Sequence, residues 1–96
     1  MTTRDEFVAQ MQTKLSEWND QIREFEIKSR AAEIEARQRY HVQIAELRSK
    51  RDRAVRKLRE IQNASDDAWE ELRNGAQEIW NDVNETVRKT SQALSV

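Results

Sequence analysis

Residues 63–72 read NASDDAWEEL, and whether the chain turns there decides the fold. Ser65, Asp66 and Asp67 are residues that cap helix N-termini, and acids crowd the turn that follows, where the positive end of a helix favours them. Asp67 and Glu70 have the spacing of a capping box. These signals predict a hairpin turn around residues 62–66. The competing reading is an uninterrupted helix, because the three-four stepping through positions 61, 65, 68 and 72 survives the crossing.

Working outward, the rest of the chain has the composition of helices. It holds no proline and a single glycine in 96 residues, and charged and apolar residues each make up 36%. Strands and tight turns need residues that are missing here. Disorder is a rival, given a mean hydropathy of −1.03, but the net charge is only −1 and the apolar residues are periodic. A solvated helix with one apolar stripe has no interior, so the stripe has to meet another helix or a membrane surface. The expectation is therefore an all-α single domain over 1–96. A long helix from about 4 to 62 is followed by a helix from about 66 to 92, folded back as an antiparallel helical hairpin or coiled coil. The alternative is one continuous helix in an antiparallel oligomer.

Upstream of the turn, Val8, Met11, Leu15, Trp18, Ile22 and Phe25 step by three and four, as in a coiled-coil seam. The register continues through the small residues Ser29, Ala32 and Ala36, then shifts phase through Tyr40 and Ile44 to Leu47. Such an 11-residue step locally changes a supercoil. Leu47, Ala54, Leu58 and Ile61 resume the heptad, with Arg51 on a seam position.

Downstream, AWEELRNGAQE and IWNDVNETVRK are two copies of an 11-residue unit. Eleven residues complete almost three helical turns, so Trp69, Leu72, Ala76, Trp80, Val83, Val87 and Leu94 fall on one stripe. Gly75 is read as internal to this helix, at a cost of ~1 kcal/mol against alanine and with room for close packing. Two explanations compete for the stripe: protein core, or an amphipathic helix on lipid through residues 66–94. The polar face carries Glu70, Glu71, Glu78, Asp82 and Glu85, acids that an anionic leaflet repels, so core is the expected reading.

Charge is sorted into blocks. Residues 48–59 hold seven bases, Arg48, Lys50, Arg51, Arg53, Arg56, Lys57 and Arg59, and one acid, a balance of +6. Residues 66–85 balance to −6. Folding at 62–65 lays one block over the other and brings Arg51 close to Ala76. Each exposed pair contributes little, but together they select antiparallel orientation. Bases on a helix could also meet nucleic acid phosphates, but the chain is acidic overall, with a pI near 5.9, which disfavours that reading.

Chemistry is sparse. There is no cysteine, so no disulfide, and His41 is the only histidine, too few for a zinc site. No phosphate-cradling glycine loop occurs, and no nucleophile has an identifiable base. No enzymatic activity, cofactor or metal is expected. No run approaches the ~18 apolar residues of a membrane span, and the N-terminal stretch does not read as a signal peptide. A cytoplasmic location is expected on those grounds, and Asn63-Ala64-Ser65 and Asn84-Glu85-Thr86 are read as chance matches to the glycosylation sequon.

The start RDEFVAQM, the middle ELRSKRDRAVRKLREIQNAS and the ending Ala68-Trp69-x-x-Leu72-x-x-Gly75…Trp80 together resemble a group of short bacterial coiled-coil proteins of uncharacterised function, with Ile79 where that group suggests alanine. The resemblance covers nearly the whole chain and implies a helical, self-associating protein without catalytic residues. Over residues 68–94 the 11-residue period is also similar to apolipoproteins and late-embryogenesis-abundant proteins. The expected function is a non-enzymatic, self-associating scaffold or adaptor. Val8, Met11, Leu15, Trp18, Ile22 and Phe25 project an uncovered seam that joins copies into dimers or tetramers, or meets another helical protein. Lipid-surface binding through 66–94 is the alternative.

Overall fold

The computed structural model describes residues 3–94 and contains three helices: α1 (Arg4–Ala31), α2 (Ile34–Asn63) and α3 (Ala68–Leu94). There is no strand among the described residues. All three helices pack on one another in a rod of 51 × 18 × 17 Å. The all-α fold and the fold-back of the C-terminal helix onto the basic half of the chain agree with the sequence reading.

The turn over NASDDAWEEL is present. α2 stops at Asn63, and Ala64 adopts extended backbone with its N–H on the Ile61 carbonyl. Ser65 then opens α3: its Oγ accepts from the Ala68 N–H at 3.3 Å, and its carbonyl accepts from the N–H groups of Ala68 and Trp69. The cap bond therefore comes from Ser65, two residues before the Asp67 of the expected capping box. At the other end of the chain Thr3 Oγ1 accepts from the Glu6 N–H at 3.2 Å and starts α1.

The expected single helix from 4 to 62 is two helices. Ala32 and Glu33 are extended, with φ/ψ of −79°/161° and −63°/154°. A continuous helix over residues 4–63 would be about 90 Å long, far beyond the 51 Å of the rod, and would leave the apolar face of α1 in water. Breaking at 32–33 folds that face onto α2 and α3. Burial of α1 by its own chain decides the matter, not local propensity, which is helical on both sides of the break.

That break corrects a second expectation. Met11, Leu15, Trp18, Ile22 and Phe25 are buried inside the chain, so they do not project an uncovered seam. The seam also begins one residue earlier: Phe7 is buried at 3% exposure, whereas Val8 is half-buried.

Candidate functional site

Two aromatic helix-to-helix contacts of the core define the part of the molecule where α1 meets α3. Phe7 lies against Trp69 with ring centroids 6.3 Å apart. Trp18 and Trp80 meet edge-to-face at 6.3 Å and 88°, the arrangement that the ring quadrupole favours. Trp18 is 1% exposed, and its indole N–H donates to Asn84 Oδ1 at 3.1 Å. The asparagine of one sequon thus partners a buried tryptophan. Arg73 completes the group, its guanidinium 5.7 Å from the Trp69 ring, a cation–π geometry.

Sequence reasoning placed Leu47, Ala54, Leu58, Ile61, Trp69, Ala76 and Val83 in the hairpin seam, and all are buried. Leu72, Trp80 and Val87 are half-buried and pack at its edge. The side chain of Leu94 lies outside the described residues. Beyond Val83 the inward positions are Thr86 and Thr90, so the core face of α3 follows a heptad through Trp69, Ala76, Val83 and Thr90, not the 11-residue period. The threonines were missed because they are polar. Each hydroxyl donates to the carbonyl four residues back, Thr86 to Asp82 at 2.9 Å and Thr90 to Thr86 at 2.8 Å, which lets a helix bury them. The seven-residue spacing was the available signal.

Gly75 does not mediate close packing. A Cβ placed there would meet only Lys57 Cε, at 4.0 Å.

The basic block is divided among three surroundings. Lys50 crosses to α3, bridging Asp82 at 3.0 Å and donating to Thr86 Oγ1 at 2.8 Å. Arg48 crosses to α1 and pairs with Glu26. Arg51, expected beside Ala76, turns to α1 as well and donates to Asn19 Oδ1 at 3.0 Å, because the break at 32–33 brings α1 alongside. Lys57 pairs within α2 with Glu60, and Arg53, Arg56 and Arg59 are exposed. Among the described residues Lys50–Asp82 is the one ion pair between the basic block and α3. The hydrogen bond from Arg48 holds the Glu26 carboxyl below the usual carboxylate range against the opposing effect of burial, and the charges of Arg48, Arg30 and Arg51 add to it. The Lys50 ammonium is raised, first by its hydrogen bond to Asp82, with burial opposing and Glu46 assisting.

Two arginines outside the block close the joints. Arg4 of α1 donates to the Ala64 carbonyl and to Asp66 Oδ1, at 2.9 Å for the latter, and so satisfies the exposed end of α2. Arg37 of α2 donates to the carbonyls of Ala32 at 2.8 Å and Arg30 at 3.0 Å, closing the end of α1. Both act on carbonyls that a helix terminus leaves without partners. Neither was visible in sequence, since each acts on a joint it does not belong to.

His41 is exposed. Among the described residues no grouping of three or more histidine or acidic side chains could hold a metal ion, and no helix is long and apolar enough to cross a membrane. No protein-family model matches the sequence, and no match to a curated protein or a solved structure is found.

Proposed function

We propose that this chain is a non-enzymatic, self-associating helical scaffold or adaptor of the cytoplasm, related in kind to the short bacterial coiled-coil proteins its sequence resembles. The observation that carries the reading is the use made of its large side chains. Phe7, Trp18, Trp69 and their neighbours are spent on helix-to-helix burial along a 51 Å rod. The long outer faces carry charge in blocks, with Ile27, Ile34 and Val42 as exposed apolar positions. Rods of this kind present area to partners. Lipid binding by residues 66–94 is the weaker reading, because the stripe of α3 is already occupied: Trp69 is 8% exposed and Val83 and Ala76 are fully buried. To meet a bilayer α3 would first have to leave the bundle.

Light scattering across a concentration series tests the proposal. A mass that rises from one chain toward two or more supports it. A single-chain mass at every concentration, in a chain that also captures no other helical protein, refutes it.

A further inference from the structure

We infer that the chain associates with a second copy of itself by exchanging α1, with the joint at Ala32–Glu33 straightening into helix. The inference rests on the self-association reading above and supplies its mechanism.

The joint is unusual for a helix break. Its sequence, Ser-Arg-Ala-Ala-Glu-Ile-Glu-Ala over residues 29–36, contains neither glycine nor proline. Alanine, arginine and glutamate are among the best helix formers, yet Ala32 and Glu33 are held extended. No residue among those described takes positive φ, so nothing in the backbone forbids the helical state. Glu33 makes no side-chain cap bond at the start of α2. What closes the joint is the Arg37 side chain, through the carbonyls of Ala32 and Arg30. In a continuous helix those two carbonyls would instead accept backbone N–H groups four residues on. The heptad-like spacing of Ser29, Ala32 and Ala36 across the break is already compatible with that helix.

The partner follows from the seam. Once the joint straightens, Phe7, Met11, Leu15, Trp18, Ile22 and Phe25 leave their own α2 and α3. The surface that fits them is the same α2–α3 groove in another copy, where Trp69, Trp80 and Asn84 wait for them. The directions agree. Within one chain α1 runs antiparallel to α2, and two straightened helices related by a two-fold axis perpendicular to them also run antiparallel. Each α1 then lies on the other copy's α2, parallel to its α3, as in the closed form. Every seam contact is kept, and only the joint differs, which is the condition for domain exchange. Two long helices of about 90 Å would form the spine of this dimer, with one α3 on each half.

Glu33→Pro separates the two states. Glu33 has φ −63°, the value proline imposes, and Ala32 before it is extended, as a residue preceding proline prefers. The closed chain therefore accepts proline, while a helix running through position 33 is broken by it. The expected result is a folded monomer whose dimerisation is weakened at least about a hundredfold against the unmodified chain. The paired substitution A32G/E33G, which also opposes helix at the joint, should weaken the dimer in the same direction. Arg37→Gln should shift the equilibrium toward the dimer. Small-angle scattering of the dimer should give a largest dimension near 90 Å or above. A dimer that survives E33P and A32G/E33G undiminished overturns the exchange while leaving self-association standing. A chain that never dimerises overturns both.

Discussion

Replacing Gly75 by alanine should stabilise the protein. Gly75 sits well inside α3 (Ala68–Leu94) with helical backbone, where glycine loses the most conformational freedom on folding and forgoes about 0.5–1 kcal/mol relative to alanine. That gain is cancelled wherever the new methyl group has no room. Here its only neighbour outside the local helix is Lys57 Cε at 4.0 Å, an ordinary van der Waals separation at the flexible end of a side chain. Lys57 can keep its 3.0 Å bridge to Glu60. The full propensity gain is therefore expected, along with a small gain from covering the Lys57 stem. For a domain of this size 1 kcal/mol moves the thermal midpoint by about 4–8 °C. The measurement is a reversible melt followed by far-ultraviolet circular dichroism, at a protein concentration low enough for the monomer. An unchanged or lowered midpoint would refute the argument, and with it the placement of Gly75 on an open part of the α2–α3 contact.

Three further outcomes are expected. Asn84→Ala should cost roughly 1–3 kcal/mol in urea unfolding, because the Trp18 N–H donates to Asn84 Oδ1 and sits in the core; a loss near zero would mean that water replaces the amide. Tryptophan emission should be blue-shifted in plain buffer and indifferent to neutral or anionic vesicles, since Trp18 and Trp69 are buried; a shift that appears only with vesicles would favour the lipid reading. Glu26 has a lowered carboxyl pKa, so its pairing stabilises the fold above its ordinary value of 4.5, and that contribution is lost as pH falls from there through the folded pKa. Glu26→Gln should therefore flatten stability against pH in that acid window and leave the alkaline side unchanged. Equal acid slopes in the two proteins would show that the Arg48 pair contributes nothing to folding.

Helix content, the turn at 62–66 and most of the α2–α3 seam were legible in sequence, because each is written in local signals: apolar stepping, a capping serine, acids at a helix start. The break at Ala32–Glu33 was not. Its residues favour helix and its backbone needs no glycine, so the cause lies in α1 burying its face against elements far along the chain. What could be seen was indirect: the run of small residues at Ser29, Ala32 and Ala36, and the phase shift leading to Leu47. A strict heptad favours Val8, while the larger ring of Phe7 reaches Trp69. The partners of the basic block depend on the break at Ala32–Glu33 instead. Without α1 alongside, neither Glu26 nor Asn19 is a candidate for Arg48 or Arg51.

Both corners of the bundle are made without glycine, and their closure is delegated to Arg4 and Arg37, which stand outside the extended residues they secure. Mutational drift therefore meets an uneven landscape. Residues 32, 33 and 64 can change among ordinary amino acids without meeting a forbidden backbone state, whereas loss of either guanidinium removes the hydrogen bonds that close its corner. The path of the chain is encoded away from the places where it bends.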